Sequence, residues 1–201
     1  MSFAPNTRRP DPDVYVQPAF WDAATCAALR LAMDRGDQTP AEIYDETYVV
    51  DRRVRDTLDA DVDTGTLARV EAALAAARPR IGRHFDLTLT GSEGAGFLRY
   101  GVGGRYRAHQ DALPPDALTA GEGASPRRLS VVIFLTGSPW APASETSVPG
   151  CDGGALRIYG TEGRRDILPA SGLLVAFPAS LVHEVMPVTR GIRDVVVDWF
   201  Y

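Results

Sequence analysis

The chain holds 201 residues, 45% of them apolar, and carries a formal net charge of −5. That length and composition describe a soluble globular chain able to bury a core unaided, as one domain over residues 1–201. An acidic balance without any basic run excludes a phosphate-tracking stripe, and with it nucleic acid as a partner. All 21 basic residues are arginine, so lysine Schiff-base and P-loop chemistry are excluded and any fixed cation in a site must be Arg.

Residues 1–12 are polar and proline-rich and read as a loose arm. Arg8-Arg9 is followed by Pro10-Asp11-Pro12 and not by an apolar segment, which argues against a twin-arginine signal. Val14 to Val16 is a candidate strand. Asp22 to Met33 reads as a helix stopped by Gly36. Residues 64–85 form a second helical stretch with an apolar stripe of Leu67, Val70, Leu74 and Ile81, which Pro79 should kink or divide. His84, at its end, reads as a structural group near a helix C-terminus.

From residue 95 the texture changes. Short β-branched and aromatic runs alternate with Gly, Pro and Asp clusters, giving candidate strands at 96–100, 105–111, 129–136, 154–159, 172–177, 181–188 and 192–201. Many short strands in series imply a sandwich or barrel. The connections 112–127 and 137–152 are long for a compact β domain and suit lids or binding loops. Pro114, Pro115 and Trp140 could shape an entrance there, although surface turn chemistry explains them equally well. Cys26 and Cys151 fit neither a disulfide framework nor a zinc pattern. Runs such as Val131 to Leu135 and Leu173 to Phe177 are too short to cross a bilayer, so a cytoplasmic protein without membrane partners is expected.

Two of the three histidines, His109 and His183, fall in strand-like segments of this β half. His109 and Asp111 are two apart, and positions i and i+2 of a strand face the same side. An imidazole and a carboxylate there offer two ligands to a divalent metal, and His183 from another strand supplies a third. That is the two-His-one-carboxylate arrangement of non-haem Fe(II) oxygenases, with positions left open. His-x-Asp by itself is a weak pattern, and a strand histidine is more often structural.

After His183, Pro187 and Gly191 suggest a turn. The last strand then alternates: Arg193, Val195, Val197 and Trp199 share one face; Asp194, Val196, Asp198 and Phe200 share the other. The first face should point into the barrel. An Arg among inward valines is a costly buried charge unless it meets a carboxylate, brought by a ligand or supplied by an internal Asp or Glu. Arg190 is a competing cation, but it falls in the expected turn and should be solvated.

Several blocks in order then resemble the prolyl-4-hydroxylase-type Fe(II)/2-oxoglutarate-dependent dioxygenases. They are Phe97-Leu98-Arg99-Tyr100, Gly104-Arg105-Tyr106-Arg107-Ala108-His109-Gln110-Asp111, Gly153-Gly154-Ala155-Leu156-Arg157-Ile158-Tyr159, Pro169-Ala170-Ser171-Gly172-Leu173, and Phe177-Pro178 through His183 and Arg193 to Trp199-Phe200. The resemblance covers about residues 90–201. It implies a mainly β (α+β) fold, a double-stranded β-helix (jelly-roll, cupin-like) core over residues 91–201, buttressed by a helical support region over 1–90. It implies that His109, Asp111 and His183 bind Fe(II), that Arg193 anchors the distal carboxylate of 2-oxoglutarate, and that Tyr100 hydrogen-bonds the same carboxylate. It implies that Tyr106 and Trp199 line the substrate pocket. Phe134 stands where some relatives carry a further tyrosine hydroxyl. Gly153, Gly154 and Gly172 serve turns or close backbone approach.

The resemblance further implies hydroxylation of an unactivated C–H with O2, releasing succinate and CO2, and ascorbate (L-ascorbic acid binding) as the reductant. In related halogenases a small residue replaces the carboxylate ligand, so Asp111 implies hydroxylation. The substrate is a prolyl or amino-acid-like group in a peptide, or a small molecule; the oligomeric state is open. Two rival readings remain at this point, a non-catalytic cupin-like metal-binding or sensing module and a jelly roll without metal.

Overall fold

In the computed structural model the described residues are 11–45, 47–112, 127–137 and 150–201. The arm at 1–12 and the connections at 112–127 and 137–152, with Pro114, Pro115 and Trp140, fall almost wholly outside them. The first half comprises β1 (Tyr15–Gln17), α1 (Ala23–Arg35), β2 (Gln38–Pro40), β3 (Ile43–Asp45), β4 (Thr47–Val49), β5 (Arg55–Asp56), β6 (Leu58–Ala60) and α2 (Thr64–His84). The second half is β throughout. Its strands are β7 (Gly96–Tyr100), β8 (Arg105–His109), β9 (Leu129–Phe134), β10 (Asp152–Gly153), β11 (Leu156–Gly160), β12 (Gly163–Ile167), β13 (Leu174–Pro178), β14 (His183–Val185), β15 (Val188–Arg190) and β16 (Arg193–Phe200).

Both helices start on an aspartate cap. Asp22 accepts from the Thr25 N–H at 2.7 Å and Asp63 from the Thr66 N–H at 2.9 Å, each satisfying a free donor of the first turn. Cys26, Leu29 and Met33 form the buried stripe of α1; Val70, Leu74, Ala77 and Ile81 form that of α2. Of the two outcomes expected for Pro79, a kink or a division, the division does not occur: the proline lies inside one continuous helix. Pro79 and Ala75, whose carbonyl it frees, are both exposed, so water can replace the missing donor. His84 closes α2 with Nε2 2.9 Å from the Asp11 carbonyl and its ring edge-on to Tyr15 and Phe85.

The strands form a double-stranded β-helix core. A seven-stranded antiparallel sheet runs β1-β13-β9-β16-β7-β6-β2, and a five-stranded sheet runs β12-β11-β14-β8-β5. The helices pack on the outer face of the larger sheet and the smaller sheet covers its inner face. Alternation along β9 shows the division. Leu129, Val131 and Ile133 join the helix-side core, whereas Val132 and Phe134 join the core between the sheets. Strand β16 alternates in the same way, with Val196 and Phe200 toward the helices and Val195 and Val197 between the sheets. Asp194, fully buried on the helix side, is held by Arg30 at 2.9 Å and by two nitrogens of Arg99 at 2.8 and 3.0 Å.

Two regions depart from the sequence reading. The span expected as one strand, 181–188, is two, β14 and β15, broken around Met186-Pro187 because proline has no ladder donor. Strands β2 to β6 and β12 carried no usable pattern: they are two to five residues long, and β12 is Gly-Arg-Arg-Asp-Ile with four of its five residues exposed.

Candidate metal centre

The cleft face of the five-stranded sheet brings His109 and His183 together. Register pairs Ile158 with His183 and His183 with His109, so the three share one row. The β8–β14 ladder is irregular: Val185 faces Tyr106 and His183 faces His109, three residues of β8 against two of β14. This bulge turns both Tyr106 and His109 inward, which regular alternation over three residues would forbid. The rings stack with centroids 3.6 Å apart.

Strand β8 stops at His109, short of the end expected at Asp111. Asp111 sits just beyond it, where its N–H and that of Ala112 both donate to the Ala179 carbonyl at 3.0 Å. One carboxylate oxygen, Oδ1, is 3.4 Å from His109 Nε2; the other, Oδ2, is 3.3 Å from His183 Nε2. One donor atom from each of the three residues lies within 4.8 Å of the others.

Both imidazoles are oriented from behind. His109 Nδ1 lies 2.7 Å from the Arg107 carbonyl and His183 Nδ1 lies 3.0 Å from the Leu181 carbonyl. A carbonyl only accepts, so each Nδ1 donates to it, which fixes the ring and turns its Nε2 toward Asp111. Phe177 packs edge-on against His183 at 4.7 Å. Burial disfavours ionisation of Asp111, but the facing His109 and His183 outweigh it and hold the carboxyl well below the usual carboxylate range. Ser130, 2% exposed on the inner face of β9, donates to Asp111 Oδ2 at 2.7 Å. Two imidazole nitrogens and one carboxylate on one side of a point form a donor set that fits Fe(II).

Arg193 lies farther along the same interior, on β16 opposite Tyr100. It is 1% exposed. Nε donates to the Gly154 carbonyl at 2.8 Å, and the guanidinium carbon lies 4.8 Å from the Tyr100 ring centroid and 5.0 Å from that of Phe134. Nη1 is buried with no hydrogen-bond partner among the described residues. Desolvation pushes its pKa down, and the nearby Tyr100 and Cys151 offset this only in part. An orphaned donor on a buried cation fits an incoming carboxylate, the group 2-oxoglutarate would bring. Asp194, the next residue, points to the opposite face and is taken by Arg30 and Arg99. Arg190 is largely exposed and pairs with Asp152 at 2.7 Å.

Of the other expected site residues, Tyr100 is buried beside Arg193, Tyr106 packs on His109, and Trp199 lies half-buried opposite Ser130 on β9. Arg127 stacks its guanidinium 3.8 Å from the Trp199 ring and is held by both oxygens of Glu93 at 2.6 Å. Two contributors escaped the sequence reading. Ser130 left a signal, a lone hydroxyl in the otherwise apolar run Leu129–Phe134. Gly154 was read only as a turn or close-approach glycine. Its φ is +63° and a β-carbon there would stand 2.8 Å from the Arg193 side chain, so the arginine lies where no larger residue at 154 leaves room.

Comparison with known proteins agrees with this geometry. A family model described as the 2OG-Fe(II) oxygenase superfamily matches residues 95–201, more than half of the chain. A PKHD-type hydroxylase of Maricaulis maris is 39% identical over 101 residues, 50% of this chain and 38% of its own length. One of Klebsiella pneumoniae is 32% identical over 147 residues, 73% of this chain and 60% of its own. The chain thus spans less than two thirds of these curated relatives. Among solved structures, a Pseudomonas putida prolyl-4-hydroxylase superposes with a TM-score of 0.70 at 26% identity, covering 94% of this chain and 91% of that one. A Trichoplax adhaerens prolyl hydroxylase, solved with a hypoxia inducible factor oxygen degradation domain peptide fragment, superposes with a TM-score of 0.68 at 18% identity over 94% and 84% of the two chains, a likeness of fold. With the two-sheet core, the clustered imidazoles and carboxylate, and the family match falling on the same half of the chain, the protein belongs to the 2OG-Fe(II) oxygenase superfamily, in its prolyl-4-hydroxylase-type branch.

Proposed function

We propose that the protein is an Fe(II)- and 2-oxoglutarate-dependent dioxygenase. It hydroxylates an unactivated C–H of a prolyl, amino-acid-like or small-molecule substrate. In the balanced reaction, substrate, O2 and 2-oxoglutarate give the alcohol, succinate and CO2. The carrying observation is one interior that holds three donor atoms within 4.8 Å and, deeper, a buried Arg193 with an N–H unpaired among the described residues.

His109, Asp111 and His183 would hold the iron, which when bound supplies the activation of O2. All three ligands lie on one side, which leaves the remaining positions to co-substrate and oxygen. Asp111 occupies with a carboxylate the position that a halide would need, which favours hydroxylation. Arg193 would receive the distal carboxylate of 2-oxoglutarate in a charge-assisted pair strengthened by burial. Tyr100 would add a phenol donor, while Phe134 offers only its ring. Leu98, Val132, Phe177 and Val195 line the same interior and exclude water around the reacting groups. Tyr106 and Trp199 would wall the substrate side. Ascorbate as reductant and a cytoplasmic location complete the reading; no helix among the described residues is long and apolar enough to cross a membrane.

The test is succinate release from 2-oxoglutarate with Fe(II) and ascorbate, screened against prolyl peptides and free amino acids. Succinate formation that needs both iron and a substrate is expected. Failure to bind Mn(II) or Co(II), or to consume 2-oxoglutarate under any condition, refutes the reading.

A further inference from the structure

Register carries a second guanidinium to the metal group. A cross-strand row runs over the cleft face of the five-stranded sheet: Leu156 opposite Val185, Val185 opposite Tyr106, and Tyr106 opposite Arg55 on the edge strand β5. Directly opposed residues of antiparallel strands share a face, so Arg55 points to the side that carries Tyr106 and His109. Its guanidinium carbon lies 5.1 Å from the Tyr106 ring centroid, and that ring stacks 3.6 Å from His109. Arg55, Tyr106 and His109 therefore form a short stack from the sheet edge to the metal group.

Arg55 has no charged partner among the described side chains. Nη1 donates to the Glu42 carbonyl at 2.7 Å, while Nε is buried with no hydrogen-bond acceptor among the described residues. Among the side chains the structure describes, no carboxylate pairs with it. Asp56 faces Arg52 instead, and Asp59 on β6 feels the Arg55 charge without reaching it. The neighbouring Arg53, by contrast, is exposed and paired with Asp51. A half-buried cation whose N–H groups go begging is costly unless an anion arrives.

Two guanidinium groups with an unpartnered N–H among the described residues thus border the metal group, Arg193 on the larger sheet and Arg55 beside Tyr106 on the edge of the smaller. On the reading given under Proposed function, the first is used by 2-oxoglutarate and cannot also serve the substrate. We propose that Arg55 is the substrate's anion receptor: the molecule oxidised here carries a carboxylate that pairs with Arg55 while its reacting C–H faces the His109–Asp111–His183 group. The carboxylate belongs either to a free amino acid or to an acidic side chain in a peptide, and both share this chemistry.

The experiment uses the full chain loaded with Mn(II) and 2-oxoglutarate, with proton relaxation of added probes reporting residence near the metal. One arm titrates free L-amino acids against their carboxamides. The other titrates prolyl peptides with a neighbouring Asp against the same peptides with Asn. The acid form in at least one arm is expected to bind about ten- to a hundredfold more tightly than its amide, the span of a charge-assisted hydrogen bond. Arg55→Gln should erase that preference and Arg55→Lys should keep part of it, with 2-oxoglutarate affinity held in both. A purely structural arginine would move only the melting temperature. The proposal is overturned if acids and amides bind alike, if neither is retained, or if the preference survives Arg55→Gln. Loss of 2-oxoglutarate binding in the unmodified protein would overturn the dioxygenase reading as well, which separates the two failures.

Discussion

His109 and His183 are direct cross-strand partners on β8 and β14, with ring centroids 4.2 Å apart and each Nδ1 tied to a backbone carbonyl two residues earlier in its own chain segment. The ladder itself therefore sets the separation of the two Nε2 atoms, and Asp111 needs only to reach between them. Removing either ring leaves one imidazole and one carboxylate. For His109→Ala and His183→Ala we expect Mn(II) or Co(II) affinity, measured by calorimetry, to fall by more than the roughly 10–100-fold typical of losing an orienting partner behind a ligand. Turnover of 2-oxoglutarate should vanish with it. Either variant keeping wild-type metal affinity would refute the ligand assignment.

Ser130 is such an orienting partner. Its hydroxyl holds Asp111 Oδ2 at 2.7 Å from a site closed to solvent, so it fixes which carboxylate oxygen stays free to turn toward a metal. Ser130→Ala should weaken Mn(II) binding by about 10–100-fold and raise the 2-oxoglutarate KM less than it lowers metal affinity. Ser130→Thr keeps the hydroxyl and should restore most of the binding. Equal metal affinity in the wild type and Ser130→Ala would remove Ser130 from the site.

The same two residues show what could be read without coordinates. His109 and Asp111 were legible as an i, i+2 pair, although β8 ends at His109 and the backbone tie to Ala179, not strand alternation, places Asp111; Arg193 stood out because a lone cation interrupts a valine face. The order of blocks along residues 90–201 carried the fold. Tyr106 was legible only through resemblance, since regular alternation places it opposite His109 and the bulge that turns it inward leaves no mark in composition. Strands β2, β5 and β6 were illegible because their two- or three-residue pairings are made with partners distant in sequence, and β3 and β4, which pair with each other, are too short to carry a pattern. Arg55 was invisible for that reason: its relation to Tyr106 exists only through the β5–β8 register.

Asp198 offers a pH test away from the cleft. It is 1% exposed on the helix side of β16; Oδ1 accepts from the Gly94 and Trp199 N–H groups at 3.1 and 2.7 Å, and Oδ2 has no partner among the described residues. Burial raises its pKa, against the smaller opposing effects of the Trp199 N–H, Ser92, the Gly94 N–H and Arg78. A carboxyl whose folded pKa lies above its unfolded value penalises folding when ionised. The penalty begins as pH rises past the unfolded value, about 3.9, and is complete above the raised folded value. Asp198→Asn keeps the accepting oxygen and removes the charge. Its melting temperature should exceed that of the wild type at pH 7, by about 2–4 °C for each kcal/mol relieved, with the difference shrinking toward pH 4. A variant less stable at pH 7, or a difference that ignores pH, would contradict this account.

Arg193 should separate stability from function. The wild type buries a guanidinium whose Nε donates to the Gly154 carbonyl and whose Nη1 finds no partner among the described residues, so the folded chain carries a desolvation penalty with little return. Arg193→Met fills similar space with an apolar chain, removing the penalty and leaving one carbonyl unsatisfied at a cost of about 1–3 kcal/mol. These effects oppose each other, and the melting temperature should move by only a few degrees in either direction. Affinity for 2-oxoglutarate should nevertheless fall by about a hundredfold or more, as expected for losing one side of a buried charge pair worth about 3–5 kcal/mol, while Mn(II) affinity stays unchanged. Gly154→Ala should mimic the functional half of this result, because its β-carbon would stand 2.8 Å from the Arg193 chain and displace the guanidinium without removing it. If Arg193→Met binds 2-oxoglutarate like the wild type, the buried cation has some other purpose and the co-substrate anchor lies elsewhere.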